Sequence, residues 1–331
     1  KKGAVVALEP STGAVLAMVS LPAFDPNDLA SHDVGDQEKA WKAYLDDDGK
    51  PMNQRATQFH YPPGSTFKLV TTAAALESGR YEPDTEVPAP AKFDLPLSER
   101  TLNNWQRGLC GSSDEITLTE ALETSCNTAY ADLGLKLGTE ALDEQAKKFG
   151  FGTKFLPKLG GAASRFPSDA NEPQTALASI GQFDVQATPL QMAMVAAAIA
   201  NGGEVMEPYI IEKLNAPDTS PLEVTEPEVV GRAVSSEVAE ELNQMMVSVV
   251  DNGTGDDARI PGVKVAGKTG TAQTTEDAPP YAWFVSFAPA DNPQVAVAVV
   301  IEEADVGRDE ISGGKLAAPI AKAVMEAVIQ P

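Results

Sequence analysis

Apolar positions form two strand-like groups at the ends of the chain, with a helical middle between them. Residues 5–8 and 14–20 alternate or run apolar on either side of Pro10-Ser11-Thr12-Gly13. A turn cluster between two such runs predicts a β-hairpin. Three later stretches, 264–273, 282–288 and 295–303, are β-branched or alternating and are separated by Pro279-Pro280 and by residues 289–293. These predict three more strands, so both chain ends are expected in one sheet. Helical patterns cover residues 119–124, 128–137, 139–149 and 188–201, the last stopped by Gly202-Gly203. Residues 235–252 predict a long helix with a serine cap and Gly253 after it, and residues 316–329 a C-terminal helix covering the sheet. The expected class is α+β, an antiparallel sheet with helices and an all-helical insertion. Residues 25–60 and 80–115, rich in Asp, Pro and polar side chains, read as long surface loops.

A chain of 331 residues that is 43% hydrophobic supports a large core divided between two lobes. The expected division is a sheet subdomain over residues 1–62 and 230–331 and a helical subdomain over 63–229. The net charge of −23 excludes an extended nucleic-acid footprint, which needs clustered Lys and Arg. Apolar stretches such as 192–200 and 295–301 are too short to span a bilayer. No signal peptide opens the chain, which enters a strand pattern directly from Lys1-Lys2-Gly3 and reads as part of a longer protein.

The two cysteines, Cys110 and Cys126, lie 16 residues apart. A bridge between them would contribute about 3 kcal/mol by closing that loop and would imply an oxidising, extracytoplasmic setting. The alternative is two separate thiols, with Cys126 buried. His32 and His60 do not stand at ligand spacing with either cysteine, so no metal is expected. Asp46-Asp47-Asp48 lacks the alternating spacing of a calcium loop and reads as a solvated turn.

Three short stretches carry chemistry. Ser65-Thr66-Phe67-Lys68 follows Tyr61-Pro62-Pro63-Gly64 and opens an apolar helical pattern. Residues three apart share a helix face, so Lys68 is expected within hydrogen-bond reach of the Ser65 hydroxyl. Serine needs a base at neutral pH, and a lysine serves as one when burial or a neighbouring cation lowers its pKa. Ser312-Gly313-Gly314-Lys315 repeats the pattern, but its glycines argue for a loop into the last helix. Ser125-Cys126-Asn127 stands between two helical segments, where a hydroxyl can relay a proton and an amide can hold a carbonyl. A plain helix cap is the alternative.

Lys268-Thr269-Gly270-Thr271 lies in a strand-like run in which Gly267 and Gly270 leave the backbone bare. An extended peptide is expected to approach there and add to a sheet edge, with Lys268 meeting a terminal carboxylate. The same stretch satisfies a phosphate-loop pattern from Gly262 to Thr269. It lacks the strand before and the helix after that an anion site requires.

The ordered trio of Ser65 to Lys68, Ser125 to Asn127 and Lys268 to Gly270 resembles the three signatures of penicillin-recognising serine enzymes. With Phe24-Asp25-Pro26-Asn27, Ser179-Ile180-Gly181-Gln182 and Thr188-Pro189-Leu190-Gln191, the whole chain is similar to class B penicillin-binding proteins, most of all to the actinobacterial penicillin-binding protein A group. The resemblance implies the fold shared with serine β-lactamases: a five-stranded antiparallel sheet sandwiched by helices, with a helical lobe.

It also implies a D,D-transpeptidase without a cofactor, acting on peptidoglycan stem peptides ending in D-Ala-D-Ala and acylated by β-lactam antibiotics. By the same resemblance Ser65 is the nucleophile, Lys68 its base and Ser125 the proton relay. Asn127 holds the stem, Lys268 with the Thr269 and Thr271 hydroxyls binds the terminal carboxylate, and Gly270 is a further substrate-binding residue. The backbone N–H groups of Ser65 and Thr271 form the oxyanion hole. An upstream membrane anchor, a noncatalytic domain, an extracytoplasmic location and a glycosyltransferase, divisome or elongation partner are further implications. A D,D-carboxypeptidase, a β-lactam sensor and a serine β-lactamase share the trio. Glu172 is the one candidate for the carboxylate that a β-lactamase uses for deacylation.

Overall fold

The computed structural model describes residues 1–105, 108–273 and 278–330. A five-stranded sheet runs in the order Ala266–Ala272, Tyr281–Ala288, Val295–Glu303, Lys2–Leu8, Val15–Leu21. Every neighbouring pair is antiparallel. The two chain ends meet inside the sheet, with Val5 opposite Val299, and this leaves Ala266–Ala272 as one edge.

The two-residue period of a strand sorts its side chains between two cores. Val6, Leu8, Val285, Phe287, Ala298 and Val300 join the larger core, which holds helices Pro189–Ala200 and Ser236–Asp251. Ala7, Phe284, Val297 and Val299 pack with the C-terminal helix Ala318–Ile329 on the other face. Burial on both faces explains why these strands read as continuous apolar runs rather than as strict alternation. The helix Pro189–Ala200 is buried along nearly its whole length, as its uniformly apolar sequence requires. Thr188 Oγ1 accepts the Gln191 N–H at 3.1 Å and Pro189 sits in the first turn, so the sequence defines its start.

Helices Lys68–Glu77, Leu118–Glu123, Asn127–Leu137, Thr139–Lys148 and Glu172–Ala178 form a helical cluster, in which Lys68–Glu77 and Leu118–Glu123 pack on Ser236–Asp251 and this helix packs on the sheet strand Ala266–Ala272. Lys68–Glu77 is buried from Lys68 through Leu76 and packs against Asn127–Leu137, Thr139–Lys148 and Ser236–Asp251. Two short ribbons, Glu86–Pro88 with Glu115–Thr117 and Lys92–Asp94 with Thr101–Asn103, accompany these helices. Among the described residues, no helix is long and apolar enough to cross a membrane.

Three local expectations change. The stretch read as a loop over residues 25–60 contains the 13-residue helix Val34–Asp46. The Asp33 side chain caps it by accepting the Gly35 and Asp36 N–H groups at 2.7 and 3.2 Å. That helix buries none of its residues, and its apolar side chains Val34, Trp41 and Leu45 stay exposed. The stretch over residues 80–115 contains the ribbons above, and residues 106 and 107 lie outside the described residues. Ser312 caps a π-helical turn, Gly313–Ala317, that runs straight into the last helix. Gly313 is there for contact: a Cβ on it would lie 2.1 Å from Trp283 O and 2.7 Å from Gly270 O.

Candidate active site

Ser65 stands on a turn held from three sides. Trp283, buried in the sheet, donates its Nε1 proton to Pro62 O at 3.1 Å, and Thr66 Oγ1 donates to Pro63 O at 2.8 Å. Gly64 adopts φ 53° and donates its N–H to Gly181 O at 3.0 Å. Gly181, at φ 70°, approaches so closely that a Cβ on it would lie 2.2 Å from Gly64 O. This contact is the physical reason for the glycine in Ser179-Ile180-Gly181-Gln182. Gly64–Phe67 is a 3-10 turn, and side chains three apart in such a turn eclipse. Ser65, partly exposed, therefore stands on the same side as the fully buried Lys68.

The expected hydrogen bond between Lys68 and Ser65 is not formed. Lys68 Nζ instead donates to Ser125 O at 2.7 Å, Asn127 Oδ1 at 2.9 Å and Ser125 Oγ at 3.3 Å. A buried ammonium has three protons to satisfy, and these acceptors take all three. Its Nζ also lies 5.2 Å from the centre of the Tyr130 ring, whose hydroxyl shares a 2.6 Å hydrogen bond with Thr72 Oγ1. Lys268 Nζ donates to the same Ser125 Oγ at 2.9 Å and to Thr269 O at 3.1 Å.

Two lysines thus converge on one hydroxyl, and among the described residues no carboxylate is hydrogen-bonded to either. Burial, and after it the Lys268 charge, hold Lys68 well below the usual lysine range. Burial alone pushes Lys268 down to about 7. Lys268 therefore titrates near neutrality and Lys68 is lowered as well, the direction in which a lysine becomes able to act as a base.

Ser125 pays for this position in backbone strain, with φ 56° in the left-handed region that non-glycine residues rarely adopt. Such a conformation costs on the order of 1–3 kcal/mol and persists where its surroundings impose it. Here Ser125 N–H donates to Leu122 O at 3.2 Å and Cys126 N–H to Ala121 O at 2.9 Å. Cys126 is joined to Cys110 across a Cα separation of 5.7 Å. Asn127 Nδ2 donates to Asn103 O at 3.2 Å, and Asn104 Oδ1 accepts the Thr128 N–H at 3.1 Å. The bridge and both asparagines tie the motif to Asn103, Asn104 and Cys110.

The edge strand Ala266–Ala272 brings Lys268 to this cluster. The expectation that its glycines leave bare backbone for a ligand is corrected. A Cβ on Gly270 would lie 2.9 Å from Thr66 Cγ2 and 3.0 Å from Pro63 O, and one on Gly267 would lie 2.6 Å from the Phe284 ring. Both glycines are filled by the protein itself: Gly270 lets the strand abut the Ser65 turn, and Gly267 accommodates the sheet's own aromatic ring. A Cβ on Gly64 would in turn lie 3.0 Å from Thr271 O, so the Thr271 backbone borders the Ser65 turn. Thr269 Oγ1 shares a 2.6 Å hydrogen bond with Thr254 Oγ1.

Lys268 sits inside a strand, so the phosphate-loop match has no structural counterpart. Glu172 is exposed in the first turn of Glu172–Ala178 and is not among the partners of the lysine cluster. Sequence reasoning missed Tyr130, Thr254 and the pairing of Gly64 with Gly181. Tyr130 had a signal, since it lies three residues after Asn127 in an apolar helix and so shares its face.

The family described as the penicillin binding protein transpeptidase domain matches residues 3–326. The chain is 46% identical over 336 residues to the peptidoglycan D,D-transpeptidase PbpA of Mycolicibacterium smegmatis, covering 99% of this chain and 67% of that protein. It is 45% identical over 335 residues to PbpA of Mycobacterium tuberculosis, with the same coverage of 99% and 67%. The solved penicillin G acyl-enzyme complex of penicillin-binding protein A from M. tuberculosis superposes with a TM-score of 0.94 at 44% identity, covering 99% of this chain and 75% of that one.

Proposed function

We infer that this chain, which belongs to the penicillin-binding protein transpeptidase family, is a serine D,D-transpeptidase that cross-links peptidoglycan stem peptides through an acyl-enzyme on Ser65. The observation that carries the reading is the Ser125 hydroxyl, which receives Lys68 at 3.3 Å and Lys268 at 2.9 Å beside the Ser65 turn. Neutral Lys68 takes the Ser65 proton as Ser65 Oγ attacks the carbonyl carbon of the penultimate D-Ala. The oxyanion forms against the backbone N–H groups of Ser65 and Thr271. As the C–N bond breaks, the proton passes from Lys68 through the Ser125 hydroxyl to the departing D-Ala amine. An acceptor amine then attacks the Ser65 ester, forms the new amide and returns a proton to Ser65.

The donor peptide lies along the free edge of Ala266–Ala272 as an added strand, with its terminal carboxylate at Lys268, Thr269 and Thr271 and its stem at Asn127. β-Lactams acylate Ser65 as mimics of that peptide. The Cys110–Cys126 bridge supports an extracytoplasmic setting. The reading includes an upstream membrane anchor and a glycosyltransferase partner in division or elongation.

The test is a peptide ending in D-Ala-D-Ala, incubated with and without a D-amino acid acceptor, with products resolved by mass. Transpeptidation predicts exchange product that rises with acceptor concentration. Hydrolysed product alone would make the chain a carboxypeptidase, and no D-Ala release despite β-lactam acylation would make it a sensor.

A further inference from the structure

We propose that Thr254 is a positioning residue for recognition of the substrate's terminal carboxylate, acting through the hydroxyl of Thr269. The inference rests on the transpeptidase reading and adds a residue to it. Thr254 lies outside all three signature stretches, in the turn between helix Ser236–Asp251 and the edge strand. Its Oγ1 is 2.6 Å from Thr269 Oγ1. Its N–H donates to Glu123 O at 3.2 Å, two residues before Ser125. Thr254 thus joins the backbone that presents Ser125 to the strand that presents Lys268.

Its backbone is closely packed on two sides. Gly253 lies so close to the same carbonyl that a Cβ on it would be 2.5 Å from Glu123 O. On the other side, a Cβ on Gly314 would be 2.7 Å from Thr254 O and 3.8 Å from Thr269 Cγ2. The second Ser-x-x-Lys stretch therefore has a structural use, because its Gly314 forms the back wall of this threonine pair. Thr269 is 7% exposed, whereas Thr254 is open to solvent.

The chemistry follows from counting protons. Each hydroxyl has one proton to donate and two lone pairs. A carboxylate accepts only, so Thr269 binds it by turning its own proton toward it. The hydrogen bond to Thr254 must then run from Thr254 Oγ1 to Thr269 Oγ1. Thr254 supplies the donor that fixes this direction, and removing it leaves the Thr269 hydroxyl free to turn its proton elsewhere.

The experiment compares acylation rate constants of wild type, Thr254→Val and Thr254→Ser toward benzylpenicillin and toward benzylpenicillin methyl ester, which lacks the negative charge. A hydrogen bond in a charged site corresponds to about a tenfold or larger change. Thr254→Val is therefore expected to acylate about tenfold more slowly with the acid and less than twofold more slowly with the ester. Thr254→Ser is expected to match wild type on both. Equal losses on both compounds would mean general damage to the fold, and no loss on either would mean that Thr254 is idle; each result overturns the proposal, as does a Thr254→Ser variant as slow as Thr254→Val. If wild type itself is not acylated at Ser65, the transpeptidase reading has failed instead.

Discussion

Replacing Lys268 with methionine, a linear side chain of similar reach without charge, should move stability and activity in opposite directions. Lys268 is fully buried and its pKa falls to about 7, because burial penalises its charge. In the unfolded chain a lysine titrates near 10.4. Below pH 7 both states are protonated and the folded state bears the whole penalty. Between about pH 7 and pH 10 the unfolded state binds the extra proton, so stability rises with pH by about 1.4 kcal/mol per pH unit.

The full penalty is therefore about 4 kcal/mol. Methionine removes it, but it also loses the hydrogen bonds to Ser125 Oγ at 2.9 Å and Thr269 O at 3.1 Å, together about 2 kcal/mol. Urea unfolding at pH 6 should then show Lys268→Met more stable than wild type by about 2 kcal/mol, with the difference reversed near pH 10. β-Lactam acylation at neutral pH should fall at least a hundredfold, and its rising pH limb should move to higher pH, because the Lys268 charge helps depress Lys68. A stability difference that stays constant from pH 6 to pH 10 would refute the reasoning.

Two other substitutions probe the scaffold. Cys110→Ser, which opens a 16-residue loop, should cost about 3 kcal/mol by urea unfolding and should slow acylation, since Cys126 lies between Ser125 and Asn127. Gly270→Ala puts a methyl group 2.9 Å from Thr66 Cγ2 and 3.0 Å from Pro63 O. It should lower acylation more than tenfold while far-ultraviolet circular dichroism stays that of wild type; unchanged acylation would show that the edge strand need not abut the Ser65 turn.

The sheet was legible because burial on both faces leaves unbroken apolar runs such as those in Tyr281–Ala288 and Val295–Glu303. The Pro189–Ala200 helix was legible because Thr188, Pro189 and Gly202 mark its ends. In the site, the residue types were legible but several contacts were not. Nothing local in Ser125-Cys126-Asn127 signals a left-handed serine, because the partners that meet this tripeptide, Lys68, Lys268 and Cys110, are distant in sequence. Thr254 and Thr269 lie on separate elements, and the contact of Gly181 with Gly64 spans still more chain. Helical spacing alone puts Lys68 against Ser65, whereas acceptors at Ser125 and Asn127, distant in sequence, decide where a buried ammonium points. Val34–Asp46 was missed for the opposite reason, since it is defined by its cap and has no buried face.

The central claim is that Ser65 is the residue acylated within this lysine cluster. Labelled benzylpenicillin, followed by intact-mass measurement and peptide mapping, tests it directly. One adduct per chain on the peptide containing Ser65, absent from Ser65→Ala, is the predicted result. An adduct on another residue, or one that survives in Ser65→Ala, would contradict it.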